Sequence, residues 1–122
     1  MDKFSIEFYT KENGEKPAKE FLLCTDKKMR AKLSGILELL EEYGNQVREP
    51  YSKHLEDGIF EIRGKIGNNI SRVLYFFYFE GRIILTNGFV KKTQKTPRQE
   101  IELAKKYRKD FVERMRKDER IP

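Results

Sequence analysis

Residues 59–90 read IFEIRGKIGNNISRVLYFFYFEGRIILTNGFV, and the expected fold class follows from their pattern. It contains three runs rich in β-branched and aromatic residues, at 59–66, 70–79 and 82–90. The segments between them, Gly67-Asn68-Asn69 and Glu80-Gly81, supply the glycine and asparagine that tight hairpin turns favour. The pattern therefore predicts three consecutive antiparallel strands, a three-strand meander.

The residues before this stretch predict a strand followed by a helical hairpin. Apolar and polar residues alternate over residues 4–9, which is the period of a half-buried strand. Pro17 suits the first turn of one helix, Thr25-Asp26 offers a cap for a second helix, and Gly44 suits its end. The apolar face of the second helix would consist of Met29, Leu33, Ile36, Leu37 and Leu40.

Two further segments complete the expected fold. Residues 44–53 are polar and contain Pro50, and we interpret them as a loop. Thr96-Pro97-Arg98-Gln99 has the pattern of a helix start, and it predicts a C-terminal helix from about residue 97 to about residue 115. We therefore expect a single α+β domain over residues 1–122, with helices packed on a mainly antiparallel sheet.

Length and composition limit the classes of protein to which the chain can belong. The 122 residues suit one domain with one core, and nine phenylalanines and six tyrosines make a folded chain the expectation despite a charged fraction of 38%. No run approaches the roughly 20 apolar residues that cross a bilayer, and the first residues lack a signal-peptide pattern. We expect a cytoplasmic protein with no membrane association.

Cysteine and histidine are too few for common metal or disulfide chemistry. Cys24 is the single cysteine and His54 the single histidine, which excludes an internal disulfide and a zinc site built from thiolates and imidazoles. No glycine-rich phosphate loop, Ser/His/Asp set or acidic magnesium cluster is visible. We expect no cofactor, and either a metal-independent reaction or simple binding.

The positive charge is unevenly distributed. The chain has a net charge of +6; residues 1–90 hold 14 basic and 14 acidic side chains, whereas residues 91–122 hold 12 basic and 6 acidic ones. Such asymmetry favours a polyanionic partner, because neutralising phosphates releases counterions. The alternative is a solvated basic helix.

Basic side chains of the predicted meander are the main site candidates. Glu61 and Arg63 share one face of their strand by two-residue alternation. Arg72 lies in the next strand among apolar residues, where it either binds an anionic ligand or pairs with Glu61 or Glu56. A planar guanidinium suits two-point contact with phosphate.

Other candidates come from the strand ends and the aromatic residues. Lys91, Lys92 and Lys95 cluster before the C-terminal helix, and with the two arginines they are expected to line a phosphate-binding concavity. Lys65 is a further candidate for RNA binding. Tyr75 and Tyr78 either stack on bases or belong to the core. His54 has the one side chain with an ordinary pKa near neutrality, and is a candidate acid or base.

A combination of motifs resembles a known family. Leu55-Glu56-Asp57-Gly58-Ile59-Phe60-Glu61-Ile62-Arg63, then Ser71-Arg72-Val73-Leu74-Tyr75, then residues 88–97 (GFVKKTQKTP) and 100–104 closely resemble phage-derived, HigB-type toxins of the RelE/ParE superfamily. The similarity runs in order from about Phe4 to the final helix.

The resemblance implies a toxin of a type II toxin–antitoxin pair, with a RelE-like fold of a small antiparallel sheet flanked by helices. Its usual activity is cleavage of mRNA on the translating ribosome. The 2′-hydroxyl of the RNA attacks the adjacent phosphate without metal, and gives a 2′,3′-cyclic phosphate and a 5′-hydroxyl.

The resemblance also suggests roles for residues of this chain. Arg63 and Arg72 would stabilise the phosphate and the transition state, and Lys91, Lys92 and Lys95 would be anchors or proton donors. The general base stays open between Glu61, which pairing with an arginine would weaken, and His54. Asn87 stands where relatives often have histidine, and the C-terminal tyrosine of some relatives has no certain match.

Partners follow from the same resemblance. A separately encoded, HigA-like antitoxin with a helix-turn-helix segment is expected to bind the chain, and the complex would bind promoter DNA mainly through the antitoxin. Two alternatives are a ParE-like inhibitor of DNA gyrase without nuclease activity, and a module that merely binds nucleic acid or an acidic partner.

Overall fold

A computed structural model describes residues 3–90 and 95–120 of the protein, with side chains as far as Asp118. Lys91 and Lys92, both predicted site residues, lie outside the described residues. The elements in chain order are β1 (Ser5–Phe8), α1 (Pro17–Cys24), α2 (Lys27–Tyr43), β2 (Ser52–Glu56), β3 (Ile59–Ile66), β4 (Asn69–Tyr78), β5 (Arg82–Val90) and α3 (Arg98–Arg120).

The strands form one mixed five-strand sheet in the order β1-β5-β4-β3-β2. β2, β3, β4 and β5 pair antiparallel with their sequence neighbours, whereas β1 pairs parallel with β5. The α+β class is confirmed, but the three-strand meander is an incomplete description of this sheet. A fourth antiparallel strand, β2, begins inside the segment interpreted as a loop.

β2 forms because a tight turn folds it back onto β3. Asp57 and Gly58 connect the two strands and have positive φ angles of 48° and 77°. This pair of left-handed residues is the geometry that two-residue hairpins adopt, and Asp-Gly accommodates it well. His54 therefore lies in an edge strand, β2.

Helices cover both faces of the sheet. α1 and α2 pack on one face around Leu33, Ile62 and Tyr75, and α3 packs on the other around Ile59, Leu74 and Phe111. Strand alternation sends neighbouring residues to opposite layers. The face beneath α3 also carries the polar residues of the candidate site, because α3 covers only part of it.

Helix boundaries agree with the sequence pattern except at the end of α3. Asp26 caps α2 by accepting a hydrogen bond from the Met29 backbone N–H at 2.8 Å, as expected. α3 begins at Arg98 and continues to Arg120, beyond the predicted end near residue 115. Within residues 3–90 and 95–120, no helix is both long and apolar enough to traverse a bilayer.

Candidate functional site

The site is organised around the carboxylate of Glu61. Its Oε2 atom accepts hydrogen bonds from Arg72 Nη1 at 2.5 Å and from Arg63 Nε at 2.9 Å. The other oxygen, Oε1, accepts a hydrogen bond from the Thr96 hydroxyl at 2.6 Å. The ion pair between Arg72 and Glu61, one of the two alternatives for Arg72, is therefore present.

Strand register explains why these residues meet. Arg63 of β3 lies directly opposite Arg72 of β4, and Glu61 lies two residues from Arg63 on the same face. Two adjacent guanidinium groups repel each other unless an anion lies between them. Glu61 supplies that anion.

Arg63 and Arg72 differ in how far their side chains are exposed to solvent. Glu61 is fully buried and Arg72 is 2% exposed, whereas the side chain of Arg63 is 22% exposed. Burial lowers the pKa of the Arg72 guanidinium, Glu61 opposes this change, and the neighbouring charge of Arg63 adds to it. Arg63 is thus the arginine of the pair with the greater access to a ligand.

One hollow, the Arg72 hollow, lies beside this pair. It has a volume of about 250 Å³ and is lined by four cations and three less polar residues: Lys32, Arg63, Lys65, Arg72, Pro50, Tyr51 and Ile70. None of the carboxylates in the described part of the chain lines it. The excess of positive charge suits an anion such as a phosphate.

A second hollow, the Lys95 hollow, adjoins the first through the shared residue Arg63. It has a volume of about 380 Å³, and its lining consists of Lys53, His54, Leu55, Glu56, Arg63, Lys95, Thr96, Arg98 and Ile101. Lys95 is exposed. The two hollows together gather Arg63, Arg72, Lys65 and Lys95, four of the predicted basic residues.

The positive charge of the second hollow is partly neutralised by Glu56. Arg98 binds both oxygens of this carboxylate at 2.5 Å, and Lys105 also contacts it. Hydrogen bonds from these two cations lower the pKa of Glu56 to about 2. Glu56 was the other carboxylate considered as a partner of Arg72. It instead forms ion pairs with two residues of α3.

The structure does not bring His54 into contact with Glu61. His54 lies opposite Phe60 in the β2–β3 register, on the sheet face opposite to the Glu61 side chain. Its Nε2 atom accepts a hydrogen bond from the Gly58 backbone N–H at 3.1 Å, and its ring contacts the Phe60 ring. His54 borders the Lys95 hollow, but this geometry does not favour it as the general base.

Of the two alternatives for Tyr75, stacking on a base or a place in the core, the structure agrees with the second. Tyr75 is 1% exposed, stacks on Phe60 and shares a hydrogen bond with Ser52 in the α1–α2 core. Burial raises its pKa to about 12. Tyr78 packs against Phe79 and Phe111, on the α3 side of the sheet.

Sequence reasoning missed Lys32, Tyr51 and the contact between Thr96 and Glu61. Tyr51 was in the segment interpreted as a loop, and Lys32 has no distinguishing pattern among the many lysines of the chain. Asn87 is 3% exposed, and its amide donates to the backbone oxygen of Glu100 at 3.3 Å and to its Oε1 at 3.0 Å. It lies beneath the first turn of α3 and lines neither hollow.

The described residues contain no group of three or more His, Cys, Asp or Glu side chains arranged to hold a metal ion. No individual curated protein matches the chain. A family model, phage derived protein Gp49-like (DUF891), matches residues 20–109, about three-quarters of the chain and most of the site. The chain therefore belongs to the phage-derived Gp49-like family, a toxin–antitoxin-type family related to the RelE and HigB toxins.

Proposed function

We propose that the protein is the toxin of a type II toxin–antitoxin system and that it cleaves mRNA on the translating ribosome. Membership of the Gp49-like family suggests a toxin module and an antitoxin partner, and RelE-like toxins, with which the family is associated, cleave RNA. The observation that carries the proposal is the Arg72 hollow, whose lining among the described residues contains four cationic side chains, two of them held by Glu61, and no carboxylate.

The proposed reaction needs no metal. The 2′-oxygen of one nucleotide attacks the adjacent phosphorus, and the bond from phosphorus to the 5′-oxygen breaks. The products are a 2′,3′-cyclic phosphate and a free 5′-hydroxyl, with one proton leaving the 2′-oxygen and one reaching the 5′-oxygen. Negative charge grows on the non-bridging phosphate oxygens, so fixed cations next to them lower the barrier.

Arg63 is the residue we assign to the reacting phosphate. It is shared by the two hollows, and the Glu61 carboxylate fixes its Nε atom while the side chain stays 22% exposed. Arg72 is more deeply buried and contributes its charge from the wall of the hollow. This arrangement favours alignment of the attack and charge stabilisation as the main contributions to catalysis.

Glu61 suits a positioning role better than that of a base. Three donors already occupy its two oxygens, and a general base needs an oxygen within reach of the 2′-hydroxyl. Lys95 and Lys65 are exposed at the hollows and are the proposed proton donors to the leaving 5′-oxygen, together with Lys91 and Lys92 from outside the described residues.

The proposed partners follow from this function. An antitoxin with a helix-turn-helix segment, HigA-like in type, would neutralise the toxin by covering the basic hollows or by keeping the chain from the ribosome. The complex would bind its own promoter DNA chiefly through the antitoxin. Such a toxin acts in the cytoplasm, where ribosomes translate.

The test is cleavage of mRNA by the purified protein on programmed ribosomes, mapped by primer extension. We expect cuts in the ribosomal A site, and we expect Arg63→Ala to reduce the rate constant by about 100-fold or more, because it removes a contact to the developing charge. Arg116→Ala is the matched control, since Arg116 is an exposed α3 arginine that lines neither hollow. Intact mRNA together with arrested DNA replication after induction would instead indicate a gyrase inhibitor of the ParE type.

A further inference from the structure

Tyr51 presents an exposed aromatic ring at the edge of the Arg72 hollow. The residue is 42% exposed, and its side chain makes no hydrogen bond and no ring contact with any of the described residues. Its backbone is well held: the backbone oxygen accepts from Arg63 N at 3.0 Å, and the backbone N–H donates to the Arg48 oxygen at 3.0 Å. The ring is thus displayed from a fixed main chain next to Arg63.

Lys32 reaches the same hollow from the helical layer. β2 pairs with β3 only as far as Ile62, so no strand formed by the described residues covers the edge of β3 beyond Arg63. α2 packs closely on β3 there, because Gly64 has no side chain and Leu33 and Met29 lie directly over it. Lys32, next to Leu33, lines the hollow at this edge together with Lys65 and Arg63.

The chemistry of these groups fits one class of ligand. A phosphate alone would need the cations but not an exposed aromatic ring. A single-stranded nucleic acid presents a phosphate and a flat base together, and proteins bind it with cationic grooves and aromatic rings on which bases stack.

We propose that Tyr51 and Lys32 extend the Arg72 hollow into a nucleotide subsite, in which the Tyr51 ring stacks on a base and Lys32 binds a phosphate of the same RNA strand. The strand then passes over Arg63 into the Lys95 hollow. This inference rests on the proposed function, since it names contacts of the same site. It makes Tyr51, and not Tyr75, the aromatic residue that contacts RNA.

The experiment measures, by fluorescence anisotropy at low salt, the affinity of the protein for two six-unit sugar–phosphate chains (hexamers) of equal charge. One is 2′-O-methyl RNA, which lacks the attacking hydroxyl and is not cleaved, and the other is an abasic sugar–phosphate chain. We expect the wild-type protein to bind the RNA about tenfold or more tightly than the abasic chain, because base stacking on an aromatic residue contributes that much. Equal affinities would overturn the proposal without any variant.

Variants then assign the preference to Tyr51. Tyr51→Ala should remove the preference for bases, and Tyr51→Phe should keep it, because stacking needs the ring and not the hydroxyl. Tyr43→Ala is the matched control, since Tyr43 is 48% exposed and lines neither hollow. A Tyr51→Ala protein that binds both hexamers as the wild type does would overturn the proposal.

Substitution of Lys32 is expected to change hexamer binding in a different way from substitution of Tyr51. Lys32→Gln should weaken binding of both hexamers alike and lower the salt-dependence slope by about 0.7, the value for one phosphate contact on a single strand. Lys28→Gln, at another exposed lysine of α2, should change neither quantity. An unchanged slope in Lys32→Gln would contradict the phosphate contact.

The ribosomal cleavage assay separates failure of this inference from failure of the proposed function. If Tyr51-dependent binding is found but mRNA stays intact, the subsite stands and the nuclease proposal fails. If mRNA is cleaved equally by the wild type and Tyr51→Ala, with equal hexamer binding, the nuclease stands and the subsite fails.

Discussion

At the scale of single residues, the site depends on how Glu61 distributes its two oxygens. One oxygen serves both arginines, and the other binds Thr96, which leads into α3. Removing the carboxylate takes away the anion that the Arg72 guanidinium, at 2% exposure, binds at 2.5 Å. The loss of one member of a buried ion pair costs far more than the pair contributes relative to an apolar replacement.

We expect Glu61→Gln to lower the free energy of unfolding by about 3 kcal/mol or more, since it removes the carboxylate from a buried ion pair. Glu7→Gln is the matched control on the same sheet, because Glu7 also pairs with an arginine, Arg82, but both side chains are about one-third exposed. That change should cost about 1 kcal/mol or less. Urea unfolding measures both, and equal small losses would contradict a central role for Glu61.

Residue positions were predictable from the sequence where strand alternation alone decides them. Glu61, Arg63 and Arg72 share a face because of their spacing, and the structure agrees. Tyr75 and Tyr51 show the limit of this reasoning. Alternation places Tyr75 opposite to Arg72, but the pattern does not say which face is covered by helices, and Tyr51 precedes the strand in a polar segment.

At the scale of elements, the contact between α2 and β3 shapes the Arg72 hollow. A Cβ atom at Gly64 would lie 2.8 Å from Leu33 Cδ2 and 2.9 Å from Met29 Sδ. The absence of a side chain therefore allows α2 to approach β3, and this approach brings Lys32 to the strand edge.

We expect Gly64→Ala to destabilise the protein by about 1–3 kcal/mol, because the added methyl group must displace well-packed core atoms. Gly35→Ala is the matched change within α2, where a Cβ would meet nothing within 4 Å. It should instead stabilise the protein by about 0.5–1 kcal/mol through helix propensity and a less flexible unfolded chain. Thermal unfolding of both variants checks the opposite signs, and two changes of the same sign would contradict the close packing of α2 on β3.

The sequence predicted β1 as a strand but not its partner, and it did not predict β2. β3, β4 and β5 follow one another through short turns and were expected. β1 pairs with β5, more than seventy residues away, and the parallel direction of that pair has no local signal. β2 was missed because Ser52 and Lys53 are polar; Ser52 is buried through its hydrogen bond with Tyr75 and not through an apolar side chain.

At the scale of the whole molecule, the cations of the Arg72 hollow do not come from the region in which the sequence concentrates its net positive charge. All the net positive charge lies in residues 91–122, yet the four cations of the Arg72 hollow come from the charge-balanced first 90 residues. Part of the basic excess of α3 is instead used to hold the helix to the sheet. Arg98 and Lys105 bind Glu56 near its start, and Arg114 binds Asp110, which accepts from Tyr9, farther along.

This use of α3 makes the stability of the molecule depend on pH through Glu56. Its pKa is lowered from 4.5 to about 2, chiefly by hydrogen bonds from Arg98 and then from Lys105. A group with a lowered folded-state pKa stabilises the fold above its unfolded-state pKa, and that contribution is lost as the pH falls toward the folded-state value. We therefore expect Glu56→Gln to be less stable than the wild type at pH 7, and the difference to shrink as the pH falls from about 4.5 toward 2.

Urea unfolding of the two proteins across this range gives the difference directly, and high salt at pH 7 should also reduce it, because the ion pairs are partly exposed. Glu42→Gln is the control, since Glu42 is an exposed α2 carboxylate without an ion pair among the described residues. Its effect should be small at every pH. A Glu56→Gln difference that stays constant between pH 7 and pH 3 would show that the side chain acts through packing and not through its charge, and α3 would then be held to the sheet mainly by its apolar face.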